Sequence, residues 1–163
     1  MPEPRWLNDI EARLWRAFLD MRHCLDAAIE RQLAEAGLST ADYRLLVPLT
    51  ESPDDELRAR DLGREIGWDR SRLSHHLRRM EQRGLVARRD CPTDARGTMI
   101  SLTAAGRRAV PGAAPGHVET VRRHFIDLLS GADAATLTAL SARVLATAGD
   151  GTPVPGTRCP SDA

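Results

Sequence analysis

Apolar residues recur every three or four positions through the first part of this chain, and the breaks in that rhythm mark where its helices end. From Asn8 to about Ala36, Ile10, Leu14, Phe18, Met21, Leu25, Ile29 and Leu33 fall on one stripe of a helix whose polar flank is dense in Glu, Asp and Arg. Gly37 is well placed to stop it. Ser39 caps a second helix through Leu49, with Tyr43, Leu46 and Val47 turned inward, and Glu51-Ser-Pro-Asp-Asp breaks it. Leu57 and Arg58 predict a minimal strand. Ala59 to Gly67 form a short helix packed through Leu62 and Ile66, and Gly67, Trp68 and Asp69 turn the chain into the next one. Asp69 is a good N-cap for a helix Arg70 to Arg83, and Gly84 suits the left-handed position just beyond its end. Two helices joined by such a turn make a helix-turn-helix.

The period then changes. Leu85 to Asp90 and Thr98 to Leu102 read as two strands around a loop from Cys91 to Gly97, whose Pro, Asp and Gly suit a hairpin tip. This pair is a wing. Thr103 caps another helix, interrupted by Pro111-Gly112 and Pro115-Gly116 and resumed from His117 to Leu129, with Val118, Val121, Phe125 and Leu128 on one face. One bent helix or two helices both fit. A last helix runs from Asp133 to about Thr147 with Leu137, Leu140 and Val144 on its apolar side. Residues 149–163 show no periodicity and are expected to be a disordered tail.

These elements predict a mostly α fold with a small β wing within one domain over 1–148. A winged helix-turn-helix covers about 40–110, and N- and C-terminal dimerisation helices cover about 8–36 and 111–148. The terminal helices carry apolar stripes that the small winged unit cannot cover alone, which argues for a homodimer. Two-fold symmetry then predicts a near-palindromic double-stranded DNA operator, with half-sites about one helical turn apart.

On the helix Arg70 to Arg83, at about 100° per residue, Leu73, Leu77 and Met80 share a narrow arc that faces the core. Ser71, Arg72, His75, Arg79 and Gln82 project from the opposite side, Ser74 and Arg78 lie at its margin, and His76 and Arg83 flank the other edge. A face of Ser, Arg and His offers hydrogen-bond donors without carboxylates, as a helix entering the major groove requires. An isolated helix of this kind is more often a solvated basic face; the turn before it and the wing after it favour DNA. Arg96 at the loop tip is placed for a minor groove, whose negative potential attracts guanidinium groups, and Asp94 for holding the loop or an arginine in position. Arg88 and Arg89 reach towards backbone phosphates.

Charge sharpens this picture. The 163 residues carry no net charge, yet Arg58 to Arg108 holds thirteen Arg against six Asp or Glu, and the remainder holds ten Arg against seventeen acids. Basic charge is thus concentrated where the motif lies. No Lys occurs, which suits forked contacts to phosphate and guanine, although codon bias explains that preference more readily.

The three cysteines at 24, 91 and 159 have no paired spacing and no Cys/His zinc pattern, which fits a reduced cytoplasmic setting. The charged start lacks the apolar run of a signal peptide. His75 and His76 point about 100° apart and cannot share a metal ion as i and i+4 residues can. No phosphate-loop, nucleophile-elbow, HExxH or dinucleotide pattern occurs, so neither an enzyme nor a cofactor is expected.

The stretch LGREIGWDRSRLSHHLRRMEQRGLVARR, followed by Asp94-Ala95-Arg96 and Leu102-Thr103, resembles the MarR family of dimeric winged-helix transcription regulators. The helix order two before, three within and two after extends the likeness over nearly all of Asn8 to Thr147. The resemblance implies that the first and last two helices build a dimer interface, that Arg70 to Arg83 reads the major groove and that Arg96 reads the minor groove. It also implies repression, often of the protein's own gene, relieved when a small phenolic or other aromatic compound, or an oxidant, acts between the dimer arms and the winged domain. Trp15, Phe18, Met21, Tyr43 and Trp68 border that crevice and are candidate ligand contacts, though each is more readily core. Cys24, beside His23, is the candidate for an alternative, redox-sensing mode; Cys91 at the wing base is more exposed by position. A further alternative is a winged-helix protein-interaction module without DNA binding. Two departures stand out: the third helix lacks a Ser or Thr cap, although Asp61 suits its first turn, and the Pro-Gly pairs challenge a straight helix between wing and arms.

Overall fold

Asn8 begins the first helix by a reciprocal cap: its side chain accepts from the backbone N–H groups of Ile10 and Glu11, while the Glu11 carboxylate accepts from the Asn8 N–H at 2.8 Å. The computed structural model describes residues 3–91 and 94–148, with residues 94–96 and 148 described by their backbone alone. Helix α1 spans Asp9–Glu35 and α2 spans Thr40–Glu51, the latter opened by a second reciprocal cap between Ser39 and Asp42. Strand β1 (Glu56–Arg58) leads into α3 (Ala59–Ile66) and α4 (Arg70–Gln82). The wing is β2 (Val86–Cys91) and β3 (Asp94–Leu102), followed by α5 (Ala104–His124), a 3-10 turn (Ile126–Leu128) and α6 (Gly131–Ala148). Gly37, Gly67 and Gly84 end α1, α3 and α4 with φ of 74°, 68° and 70°, the left-handed region where a side chain is strained. The domain is therefore mostly helical with a small antiparallel sheet, as the patterning predicts.

The three strands lie in the order β1-β3-β2, with Leu57 opposite Ile100 and Val86 opposite Leu102. Leu33 of α1, Leu45 and Leu49 of α2, Leu62 of α3, Leu77 and Met80 of α4 and Ile100 of the sheet are buried in one cluster. All of these except Leu33 belong to the helix-turn-helix and its wing, and Leu33 comes from the last two turns of α1. The α1 stripe is consequently divided. Leu33 is buried and Leu25 and Ile29 are half-buried, whereas Ile10, Leu14, Phe18 and Met21 are exposed.

Three expectations are corrected. The loop expected from Cys91 to Gly97 is shorter, because β2 and β3 stay paired from Val86 with Leu102 to Asp90 with Thr98, and again at Cys91 with Asp94. Residues 95–97 lie between those last two pairs as an irregularity of the kind that bends a wing without ending the ladder. The interruption expected at Pro111-Gly112 and Pro115-Gly116 does not occur, since α5 is continuous. Ala113 is fully buried, Gln32 of α1 reaches its carbonyl at 3.5 Å, and a Cβ on Gly116 would meet the Gln32 amide at 2.6 Å. Close packing of α1 on this small-residue face holds the helix despite its prolines. The break falls instead at Phe125 (φ −142°, ψ −65°), so the helix expected to run on to Leu129 stops at His124.

Candidate nucleic-acid interface

The turn between α3 and α4 is built as a rigid corner. Gly67 in the left-handed conformation lets the Trp68 N–H reach back to the Gly63 carbonyl at 2.9 Å, and Arg44 of α2 donates to the Ile66 carbonyl at 3.3 Å. Asp69 then caps α4 by accepting from the Arg72 N–H at 2.9 Å. The N-cap residue of α3, Arg58, gives it no side-chain capping bond; Asp61 instead sits in its first turn, paired with Arg60 and Arg64.

With α4 fixed in this way, Leu73, Leu77 and Met80 are buried and Ser71, Arg72, Ser74, His75, Arg78 and Arg79 are exposed along its outer side. A concavity of about 550 Å³ lies there, lined by Trp68, Ser71, Arg72, His75, His76 and Arg79 among others. The Arg72 guanidinium stacks over the Trp68 ring at 4.1 Å from its centroid. A second groove of about 750 Å³ runs between α4 and the sheet and includes Arg58, Arg60, Arg70, Ser74 and Arg88.

His76, expected at the edge of the face, is 7% exposed and is held between an acceptor and a donor. Its Nε2 lies 2.9 Å from Asp42 Oδ1 and its Nδ1 lies 2.7 Å from Arg79 Nη2. The Trp68 ring meets it edge-on, with centroids 5.5 Å apart and planes at 82°. Asp42, itself buried, also accepts from Arg83 Nη1 at 2.6 Å, and Arg83 donates on to the Gly37 carbonyl at 2.5 Å. Burial alone would raise the Asp42 carboxyl, but bonds from the Ser39 N–H, Arg83 and the Ser39 hydroxyl outweigh it and leave the pKa below the usual carboxylate value. For His76 burial lowers the pKa, the hydrogen bond and charge of Asp42 oppose this, and Arg79 and Arg83 add to the lowering. This buried chain was missed in the sequence, although both members gave a signal. Asp42 is spaced three, four and seven residues from Leu45, Leu46 and Leu49, and His76 three after Leu73 and four before Met80, so each sits on an inward face.

The remaining candidates are placed differently. Arg88 is half-buried and paired with Glu81 at 3.0 Å, and Arg89 grips Glu56 through two nitrogens, one at 2.6 Å. Either must share its carboxylate partner to touch a phosphate. The side chains of Asp94 and Arg96 and the expected tail lie outside the described residues. The five proposed ligand contacts are not brought together. Trp15 and Phe18 stack at 5.7 Å on the exposed part of α1, where Met21 is also exposed; Tyr43 packs on His117 of α5 at 4.9 Å; Trp68 belongs to the α4 surface. Cys91, expected to be the more exposed thiol, is buried as the last residue of β2, while Cys24 is exposed on α1.

A family model described as MarR family matches residues 36–97, the stretch from the end of α1 into the wing. The crystal structure of AbsC, a MarR family transcriptional regulator from Streptomyces coelicolor, is 41% identical, covers 86% of this chain and 93% of its own, and superposes with a TM-score of 0.80. The chain belongs to the MarR family of transcriptional regulators. Sco3205, a MarR family transcriptional regulator from the same organism solved in complex with DNA, is 36% identical, with 97% of this chain and 100% of that one covered and a TM-score of 0.84. Among curated proteins, the HTH-type transcriptional regulator YdgJ of Bacillus subtilis is 34% identical over 74 residues, which span 45% of this MarR-family chain and 44% of YdgJ, less than half its length.

Proposed function

We propose that this MarR-family protein is a homodimeric, sequence-specific repressor that presents α4 to the major groove of a near-palindromic operator and leaves it when a small aromatic ligand binds. The observation that carries this reading is the outer face of α4, where Arg72, Arg78 and Arg79 are exposed with Ser71, Ser74 and His75 and no carboxylate among them. Arginine on such a face grips O6 and N7 of guanine through two donors, while serine and histidine serve phosphates or single base contacts. Arg96 in the wing is assigned to the minor groove and Asp94 to its support, with Arg88 and Arg89 adding phosphate contacts by sharing their carboxylate partners. The homodimer is supported by exposed apolar side chains on α1 and α6, including Leu14, Phe18, Val144 and Leu145. An aromatic effector fits the junction of arms and winged unit. There Tyr43 and His117 are in contact, and the buried Gln32 Oε1 and His117 Nδ1 lack a hydrogen-bond partner among the described residues.

The test is binding to the DNA upstream of the protein's own gene. Specific, salt-sensitive binding is expected; Arg79→Ala weakens it and relaxes sequence preference, and Arg96→Ala weakens it and reduces the salt slope. The absence of any footprint at moderate salt would favour a winged-helix module that docks a protein instead. Thiol sensing would rest on Cys24 among the described cysteines, since Cys91 is buried; it requires loss of binding on peroxide treatment that Cys24→Ser prevents.

A further inference from the structure

The Asp42–His76–Arg79 chain has a direction imposed by its chemistry. An ionised carboxylate only accepts and a guanidinium only donates, so with Asp42 on one side and Arg79 on the other the ring between them must donate from Nε2 and accept at Nδ1. That is one tautomer of neutral imidazole. A protonated ring would carry N–H groups at both nitrogens and would point one of them at the Arg79 donor.

We infer that His76 is a positioning residue for DNA reading: as a neutral ring braced by Asp42 of α2, it fixes the Arg79 guanidinium on the outer face of α4, and its protonation releases that arginine. This rests on the reading of α4 as the DNA-contacting helix. Arg79 is exposed, and a long side chain without an anchor loses rotamer freedom when it docks on a base; one held beforehand loses less. The bond to His76 occupies one of the five guanidinium N–H donors and leaves four for a base edge or phosphate. The brace is stiff because Asp42 also caps α2 and takes Arg83, so His76 cannot shift without disturbing the start of that helix.

The charged and titratable groups facing His76 are Asp42 from α2 and Arg79 and Arg83 from α4 and its end; the α3–α4 turn contributes the Trp68 ring, with Arg72 across it. Burial sets the direction of its pKa, below the ordinary imidazole value, with the two arginines assisting. The ring is therefore neutral at neutral pH and takes its proton on acidification. An ordinary histidine near DNA behaves the opposite way, since each proton gained strengthens attraction to phosphate. A divergence follows: as pH falls from about 7.5 to below the ordinary imidazole range, binding to random DNA strengthens while the preference for the operator falls.

The experiment starts by selecting duplexes from a random pool with the full-length wild-type protein. The enriched duplex and a scrambled copy are then titrated with wild type, His76→Gln, Arg79→Ala and the double variant. Glutamine keeps a donor near the position of Nε2 for Asp42, does not titrate in this range, and presents no acceptor where Nδ1 lay; circular dichroism checks that the variants fold. His76→Gln is expected to lower the preference for the enriched duplex by several-fold to about ten-fold, the scale of ordering one long side chain. It should also abolish the loss of preference at acid pH and add nothing in the Arg79→Ala background. If His76→Gln, folded, keeps the full preference and its pH dependence, or if its effect simply adds to that of Arg79→Ala, the positioning role is wrong although DNA reading stands. If no duplex is enriched, the DNA-reading proposal fails and this inference with it.

Discussion

The winged unit and the terminal helices treat their apolar residues in opposite ways. Among the described residues, every exposed large hydrophobic side chain lies between Trp6 and Met21 or between Val118 and Leu145, and none lies in the stretch between, which holds the helix-turn-helix and wing. Leu45, Leu62, Leu77 and Ile100 are completely buried, whereas among the described side chains of α6 only Leu137 is even half-buried, and Leu14 on α1 is 70% exposed. The winged unit therefore buries its core, with Leu33 of α1 and Ala113 of α5 completing it. The arms leave large apolar side chains in water, which is why a second copy of the chain is part of the proposed function.

Truncating one residue in each region separates a closed core from an uncovered arm. Leu77→Ala should lower the free energy of unfolding by about 2–5 kcal/mol, and Leu14→Ala, in protein dilute enough to be monomeric, should lie within about 0.5 kcal/mol of wild type. Equal losses in urea titrations would mean that the arm is as well covered as the core. Next in size, Leu14→Asp combined with Val144→Asp should weaken self-association by about 30-fold or more, because charge would be buried in an apolar contact, while the circular dichroism of the winged unit is kept. Unchanged sedimentation on dilution would remove these faces from the interface. Within the winged unit, Gly67→Ala should cost about 1–2 kcal/mol, since an alanine at φ 68° is strained. Thermal melts that match wild type would show that the corner adapts.

The smallest effect concerns pH. His76 and His117 both have pKa values lowered by burial, so as pH falls the unfolded chain binds protons before the folded one does. Their contribution is complete above the ordinary imidazole range and declines as pH falls through it. Asp42, also lowered, keeps its contribution above the ordinary carboxylate range and loses it as pH falls through that range and on through its own lower pKa. Urea midpoints that rise between neutral pH and about pH 5.5 would contradict the assignment of neutral, buried rings.

Local signals made the helix-turn-helix legible in the sequence: Ser39, Asp69 and Thr103 cap the helices expected of them, and Gly37, Gly67 and Gly84 end others. The outward face of α4 followed from angle alone. What failed depended on distant partners. Pro111 and Pro115 read as a break because the face of α1 that packs on Ala113 and Gly116 has no local signature, and tertiary contact overrode the proline rule. Asp42 and His76, 34 residues apart, each looked like a polar residue at the edge of an apolar stripe; only the fold sets them 2.9 Å from one another. Arg88 and Arg89 read as unengaged positive charge until the sheet placed Glu56 and α4 placed Glu81 beside them.

On the proposed reading, the winged unit, its core completed by Leu33 and Ala113, reads DNA only as one half of a pair formed by the arms. Light scattering of the protein alone and bound to its selected duplex tests this most directly. Two chains are expected in solution, and two chains on one duplex carrying inverted half-sites about one helical turn apart. A single chain bound to a single half-site with full affinity would contradict it.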